Sequence, residues 1–252
     1  MQSECFTLTL KLRDRTLLAG SIPWPNKGFH SIVGHHVSIA RKNLLTGLMR
    51  KAASEKVVHA WDIDRMQYRE GCQRVTHDVM GKPRVHRYEG SGPAVSFSYG
   101  ADRLWAALGD CSIDIGVDIA DPCDFQGNYP FHQAFLEADW SEIPCPLHRQ
   151  SADAAAFVWS LKEAAVKALG SGFHYFGPLD VAIRRSQDRG GDMLFEFVFS
   201  PADHELAESV RYVRVVAAAW RMGRFWLALA SCGRHAAEPF RQSLFTRRAI
   251  HP

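Results

Sequence analysis

The strongest helical pattern of hydrophobic and polar positions runs through residues 152–169. This stretch holds good helix formers without Gly or Pro, and Gly170 follows it directly. At about 100° per residue, the apolar arc contains Phe157, Val158, Leu161, Ala164, Ala165, Ala168 and Leu169. The other arc contains Trp159, Lys162, Glu163, Val166 and Lys167. The sequence therefore predicts a helix with a core face and a second face of different character.

The second face has two interpretations. Glu163 and Lys167 stand at i,i+4 spacing, and a solvated pair of this kind contributes only about 0.3–0.5 kcal/mol. Trp159 argues against a merely wet surface, because a large aromatic ring is poorly suited to one. We therefore treat Glu163 as a candidate functional carboxylate.

A period of two appears in residues 112–120. Asp114, Gly116, Asp118 and Ala120 share one face, while the other face is formed by Ile113, Ile115, Val117 and Ile119. This alternation predicts a strand. It also predicts that Asp118 projects away from the apolar side, as a second candidate carboxylate.

The rest of the chain predicts a mixed order of elements. Short strands are expected at 6–12 and 15–22, a helix at 37–54, paired strands at 94–100 and 104–108, a helix near 131–139, and strands at 179–186, 193–200 and 211–231. A helix followed by three strands thus occurs twice, which favours two α/β halves with a cleft between them. We expect halves at residues 1–112 and 113–235, and a flexible tail at 236–252.

Composition narrows the function classes. The 252 residues are 46% hydrophobic and 23% charged, enough for a full core, and a net charge of +3 is too mild to indicate a nucleic-acid partner. The six cysteines are scattered without a CxxC pair, which favours reduced thiols in the cytoplasm. No signal peptide or membrane span is expected from the hydropathy pattern.

Several motifs in order resemble those of the Sfp-type 4′-phosphopantetheinyl transferases. They are Gly81-Lys82-Pro83, Ser96-Phe97-Ser98-Tyr99, Gly116-Val117-Asp118-Ile119, Trp159-Ser160-Leu161-Lys162-Glu163-Ala164-Ala165-Val166-Lys167, and the stretch from Gly170 to Asp180. The resemblance covers roughly residues 37–230. One short motif carries little weight, whereas several in order at compatible spacing are specific.

The resemblance implies an α+β pseudo-dimer of two similar α/β halves, with the active site in the cleft between them. It implies transfer of the 4′-phosphopantetheine group of coenzyme A to a serine of an apo acyl or peptidyl carrier protein, with release of adenosine 3′,5′-bisphosphate. Mg²⁺, or Mn²⁺, is the implied cofactor. The carrier could serve fatty-acid, polyketide or nonribosomal-peptide synthesis. A monomer is expected, because both halves of the cleft lie in one chain.

Site residues follow from the matched motifs. Asp118 and Glu163 would hold the metal, Glu163 would also be the general base, and Lys167 would stabilise phosphate charge. The residues expected at coenzyme A are Arg41, Lys42, Lys82, Ser98, Tyr99 and, in a supporting position, Lys162.

Two positions depart from the family pattern. Ala120 stands where the family often has an acid, and Tyr99 stands where a histidine is usual. The alternative is therefore a catalytically weak or inactive relative that binds coenzyme A or a carrier protein. The loop after the Asp118 strand leaves a second question open, since Phe125, Tyr129 and Phe131 could dock the carrier or pack the loop onto the core.

Overall fold

A computed structural model of the chain describes residues 6–12, 15–24, 33–54, 74–78, 81–86, 91–144, 147–186 and 193–250. The fold is α+β, with two antiparallel sheets and helices on their outer faces. The predicted fold class is confirmed. None of the helices in these ranges is both long enough and apolar enough to cross a membrane.

The first sheet has six strands in the order β1-β2-β6-β5-β4-β3. Its strands are β1 (Phe6–Leu12), β2 (Arg15–Pro23), β3 (Arg74–His77), β4 (Pro83–His86), β5 (Ser91–Gly100) and β6 (Arg103–Gly109), and helix α1 (Val33–Ser54) follows β2. The predicted pairing of the strands near 94–100 and 104–108 is present as the β5–β6 hairpin.

The second sheet has five strands in the order β7-β11-β10-β9-β8. Its elements are β7 (Ile113–Ala120), helices α2 (Phe131–Ala134), α3 (Glu137–Ser141) and α4 (Ala152–Leu169), strands β8 (Val181–Ser186) and β9 (Leu194–Phe199), helix α5 (His204–Val210), strands β10 (Val215–Met222) and β11 (Phe225–Gly233), and helix α6 (Arg234–Ile250). If β1 is left out, the first sheet has the same connectivity as the second. In each, a first strand is followed by a helical segment and four more strands, and the last of these pairs with the first strand. Two similar halves are therefore visible in the topology.

The layers are helix, sheet, sheet, helix. Helix α1 packs on the first sheet, α4 packs on the second, and the inner faces of the sheets share an apolar core that includes the alternating Ile and Val residues of β7. The opposite face of β7 is also covered, so Asp114 and Asp118 are both buried. The strand alternation was thus predicted, but burial of its polar face was not.

Helix α4 has clear start and stop signals. The Ser151 side chain accepts a hydrogen bond from the backbone N–H of Ala154, and Gly170 ends the helix with φ of 98°. Beyond its first turn, only Trp159, Glu163 and Lys167 are partly exposed. The sequence placed Lys162 and Val166 on the same arc, but both are buried. The partly exposed face of α4 is therefore narrower than the predicted arc.

Gly116 brings α4 against β7. A Cβ atom at this position would lie 1.9 Å from the carbonyl oxygen of Ala164 and 2.7 Å from the backbone nitrogen of Ala168. Any side chain would therefore push the helix away from the strand. The glycine sets the spacing between the strand that carries Asp118 and the helix that carries Glu163 and Lys167.

Residues 234–250 form helix α6, where the sequence analysis expected a flexible tail from residue 236. Ala237 and Phe240 of α6 are fully buried, and Arg241 is 8% exposed. The Arg241 guanidinium donates to the carbonyl oxygen of Leu169 at 3.2 Å and pairs with Asp114. The high arginine content of this segment suggested that it is exposed. Instead, Arg241 is buried because it pairs with Asp114, a buried residue far away in the sequence. Helix α5 was also not predicted.

Candidate active site

The candidate site lies where β5, β7 and α4 meet. Asp118 of β7 accepts hydrogen bonds at Oδ1 from the Ser98 hydroxyl at 2.9 Å and from the Lys167 ammonium at 2.8 Å. Ser98 lies on β5, so the contact joins the two sheets directly. The structure therefore brings together three residues that the motifs placed at the site.

Glu163 completes this cluster from one turn earlier on α4. Its Oε1 atom lies 3.0 Å from the Lys167 ammonium, and its Oε2 atom accepts a hydrogen bond of 2.9 Å from the Trp159 indole N–H. Lys167 is thus a bridge between two carboxylates from different elements. The Glu163–Lys167 pair is not the solvated surface pair of the alternative interpretation, because it faces Asp118.

Burial and charge shift the ionisation of the cluster. Burial raises the pKa of Asp118 to about 6, with Glu163 adding to the increase and Lys167 and Ser98 opposing it. Burial also opposes a charged Lys167, but Asp118 and Glu163 outweigh it and raise the pKa of the ammonium. The second oxygen of Asp118, Oδ2, is buried without a hydrogen-bond partner. A carboxylate with a spare buried oxygen is ready to accept a further cation or donor.

Two cavities adjoin at this cluster. The larger, of about 550 Å³, is lined by Phe97, Ser98, Tyr99, Asp118, Ile119, Ala120, Asp124, Phe125, Tyr129, Trp159, Glu163 and Lys167. The smaller, of about 190 Å³, is lined by Arg41, His77, Gly81, Lys82, Pro83, Ser96, Phe97, Lys167, Gly170, Ser171, Gly172 and His174. Phe97 and Lys167 border both cavities. The two cavities therefore meet at these residues and are treated below as one cleft.

The smaller cavity carries cationic groups. Arg41 donates to the Tyr99 hydroxyl at 2.8 Å, lies 3.3 Å from the His77 ring, and stacks over Phe97 at 5.1 Å from the ring centroid. Burial and the charge of Arg41 lower the pKa of His77. Lys42, by contrast, is exposed and lines neither cavity. The hydrogen bond therefore links Arg41 of the smaller cavity to Tyr99, which lines the larger one.

Lys82 has its ammonium turned into the protein. Its Nζ atom donates to the carbonyl oxygen of Lys167 at 2.8 Å and also to that of Ala168, and it lies 3.8 Å from Asp114. The residue is 5% exposed, and burial lowers its pKa to about 8 against the effect of Asp114. Lys82 thus caps the last turn of α4 and ties it to the β3–β4 turn, while the remainder of the residue lines the smaller cavity.

Lys162 is fully buried on the far side of α4. Its ammonium lies 2.5 Å from Asp139 and donates to the carbonyl oxygen of Pro178 at 2.9 Å. Burial lowers its pKa, and Asp139 opposes this. Lys162 lines neither cavity. Its contacts hold α3 and the turn at Pro178 against the helix that carries Glu163.

Some cavity residues had no role in the sequence analysis. His77 and His174 line the smaller cavity, as does Ser171. Ser171 lies in the Gly170-Ser171-Gly172 turn, whose resemblance to the family motif was the available signal. His174 lies within the matched stretch from Gly170 to Asp180 but was not singled out there, and His77 belongs to no motif. Only the packing of β3 and of the turn after α4 brings the two histidines to one cavity.

The residues fit a divalent cation in part. Asp118 and Glu163 offer hard oxygen ligands, and the spare Asp118 oxygen suits a cation. No third acid joins them: Ala120 is buried, Asp121 pairs with Arg224 at 3.1 Å, and the described residues contain no cluster of three His, Cys, Asp or Glu side chains able to hold a metal. A cation here would complete its shell with water or substrate oxygens.

The aromatic loop after β7 packs inward. Phe125 is 5% exposed, and its ring centroid lies 4.9 Å from that of Tyr129, 6.0 Å from Phe135 and 6.2 Å from Trp159. Tyr129 and Phe131 are partly buried against the same core. Packing is therefore favoured over docking for Phe125, while Tyr129 retains access to the larger cavity.

We expect Phe125→Ser to lower the melting temperature by roughly 5 °C or more, because a buried ring is lost from an aromatic cluster. The Michaelis constants for coenzyme A and for a carrier protein, the two substrates that the sequence resemblance implies, should then rise together. Thermal melting and steady-state kinetics measure this, with Tyr129→Ser as the matched variant on the cavity wall. A change confined to the Michaelis constant for the carrier, with melting unaltered, would support docking instead.

Comparison with known proteins adds family information. Residues 114–211 match the family model described as the 4′-phosphopantetheinyl transferase superfamily. Among 24 matching chains of solved structures is holo-[acyl-carrier-protein] synthase (AcpS) of Helicobacter pylori, crystallised in complex with coenzyme A. It is 19% identical, with 47% of this chain and 99% of that chain covered and a TM-score of 0.35. Comparison with individual curated proteins finds no match.

Proposed function

We propose that the chain is a member of the 4′-phosphopantetheinyl transferase superfamily, whose family model matches residues 114–211, and that it modifies an apo acyl or peptidyl carrier protein. The 4′-phosphopantetheine group of coenzyme A is transferred to a serine hydroxyl of the carrier, and adenosine 3′,5′-bisphosphate is released. The observation that carries the proposal is the Asp118–Lys167–Glu163 cluster at the junction of the two cavities.

A cleft made of two adjoining cavities, with Arg41 in one and Lys167 between them, suits a long anionic substrate. In the proposed complex, the nucleotide phosphates lie in the smaller cavity near Arg41, and the pantetheine arm extends into the larger, more aromatic cavity. The pyrophosphate then falls beside Lys167, the residue common to both cavities. Ser98 and Tyr99 border the same passage, and Lys42 contributes from the exposed side of α1.

The reaction needs positioning, charge stabilisation and one proton acceptor. The carrier serine oxygen attacks the β-phosphorus of coenzyme A, a new phosphorus–oxygen bond forms, and the bond to the bridging oxygen of the nucleotide breaks. Glu163 accepts the serine proton, directly or through water. Lys167 stabilises the charge that develops on the phosphate oxygens. Lys82 and Lys162 act indirectly, by fixing the two sides of α4.

Asp118 and Glu163 would hold Mg²⁺ or Mn²⁺, assisted by the spare Asp118 oxygen. When bound, such a cation neutralises pyrophosphate charge and helps to orient the phosphates. Lys167 would then contact phosphate oxygens and give up part of its ion pairing with the two carboxylates. The buried Ala120 contributes no ligand, so we propose a weaker metal site than one with three acids.

The test is incubation of the protein with coenzyme A and a panel of apo carrier proteins from fatty-acid, polyketide and nonribosomal-peptide systems, followed by intact mass measurement. We expect one carrier class to gain the mass of phosphopantetheine in Mg²⁺ or Mn²⁺, and none to do so in EDTA. No gain on any carrier under either condition would contradict transfer. Gain that persists in EDTA would remove the metal from the proposal while retaining the transfer.

A second candidate is a binding protein without turnover. It is favoured by Ala120 at a usual acid position and by Tyr99, a neutral donor that already contacts Arg41. Such a protein would bind coenzyme A in calorimetry and yield no modified carrier. A monomeric state and a cytoplasmic location stay predictions.

A further inference from the structure

Of the three partly exposed residues on α4 beyond its first turn, Trp159, Glu163 and Lys167, the proposed reaction gives no role to Trp159. Its indole N–H donates to Oε2 of Glu163 at 2.9 Å, and Lys167 takes the other oxygen at 3.0 Å. Both oxygens of the carboxylate are therefore fixed, one by a neutral donor and one by a cation. A glutamate on an exposed helix face would rotate freely about its terminal bonds.

The indole itself is held by surrounding rings. Its centroid lies 5.1 Å from that of Phe173, 6.2 Å from Phe125 and 6.3 Å from Phe135. These residues come from the turn after α4, from the segment after β7 and from the segment after α2. Trp159 thus connects a rigid aromatic wall to a side chain in the cleft.

We propose that Trp159 is the positioning residue for Glu163. The indole N–H holds Oε2 against the aromatic wall, and Oε1 is thereby presented to Lys167 and to the passage between the cavities. This role rests on the proposed transferase function, in which Glu163 accepts the serine proton. Preorganisation of this kind affects turnover more than substrate binding, because the base must be aligned at the moment of proton transfer.

The chain contains an internal control for this interaction. Trp226 of β11 also donates its indole N–H to a carboxylate of α4, Asp153, at 3.0 Å, and packs 4.9 Å from the ring of Phe157. Trp226 and Asp153 line neither cavity. Trp159→Phe and Trp226→Phe therefore remove equivalent hydrogen bonds from the same helix, and only one of them touches the proposed base.

We expect Trp159→Phe to lower kcat about tenfold with the Michaelis constant for coenzyme A nearly unchanged, and Trp226→Phe to leave kcat within about twofold of wild type. Replacement of Trp159 by benzothienylalanine, which keeps the bicyclic ring and lacks the N–H, should reproduce the loss. Equal kcat values for the two Phe variants, or full activity with benzothienylalanine, would overturn the proposal.

An NMR measurement tests the hydrogen bond without activity. In ¹⁵N-labelled protein, the Trp159 indole resonance, assigned with Trp159→Phe, should move upfield in Glu163→Gln and stay in place in Asp153→Asn. The Trp226 resonance should show the reverse. An unchanged chemical shift of the Trp159 indole resonance in Glu163→Gln would overturn the proposal. If the wild type modified no carrier, the transferase proposal would fail alone, and the resonances would still decide whether Trp159 holds Glu163.

Discussion

Glu163→Gln is expected to lower kcat/KM by at least about 10²-fold and to leave the fold unchanged. The amide keeps the size of the side chain but offers the Trp159 N–H only a weaker, neutral acceptor, and it cannot act as the proposed acceptor of the serine proton at neutral pH. It also removes one of the two negative charges beside Lys167. Steady-state kinetics with the responsive carrier, with circular dichroism as the check on folding, measures the effect.

Glu208→Gln is the matched control. Glu208 lies on α5 and pairs with Arg211 at 3.3 Å across i,i+3 spacing, so the variant also removes one helical ion pair. It is 52% exposed in its side chain and lines neither cavity. We expect wild-type kinetics for Glu208→Gln. Turnover of Glu163→Gln close to that of this control would exclude Glu163 as the base.

Asp114→Asn is expected to destabilise the protein by about 3–5 kcal/mol, which lowers the melting temperature by roughly 10 °C. Asp114 is fully buried and contacts Arg84 at 2.6 Å and Arg241, with Lys82 and Arg234 each at 3.8 Å. Its loss would leave several cations in the interior without their shared counter-charge. Thermal and denaturant unfolding measure the change.

The pH dependence of this effect has a defined sign. Burial opposes ionisation of Asp114, but Lys82, Arg241, Arg84 and Arg234 outweigh it and lower the pKa to about 2. The stabilisation is therefore complete above the ordinary carboxyl pKa near 4 and is lost as pH falls toward 2. Wild type and Asp114→Asn should differ fully at pH 7 and converge in strong acid. A constant difference across that range would contradict the ionic origin.

Asp118→Asn is the contrasting variant on the same strand. Because the pKa of Asp118 is raised to about 6, its ionisation costs stability as pH rises through that value. Removal of its charge should therefore cost little at pH 7.5 in EDTA, at most about 1 kcal/mol, although activity should fall. A loss as large as that of Asp114→Asn would show that the Lys167 contact outweighs the burial.

The local pattern of hydrophobic and polar residues predicted the two elements, α4 and β7, that carry the candidate site. Helix α4 occupies the predicted residues, and β7 shows the predicted alternation, because capping, periodicity and glycine placement act over a few residues. Lys162 was placed on the cleft face because a helical wheel cannot reveal Asp139, the buried partner that another segment supplies. Long-range charge compensation decided this position.

The same reason explains the other differences. Lys82 sits in a motif, yet its ammonium caps carbonyl groups 85 and 86 residues away. Arg241 was assigned to a tail, and its partner Asp114 lies 127 residues earlier. Each is a cation whose buried position is stable only because a distant acceptor neutralises it. Residue type alone indicates exposure for such side chains, and only the assembled fold overrides it.

The repeated topology of the two halves predicts a second junction equivalent to the one at the candidate site. Strand β7 is an edge strand, and the site opens where it approaches β5. The equivalent pair in the other orientation is β2 with β10. Strand β1 hydrogen-bonds along β2 and contacts β10, so it fills that counterpart. One added strand therefore makes the two equivalent junctions different, and the proposed function leads us to expect one coenzyme A bound per chain.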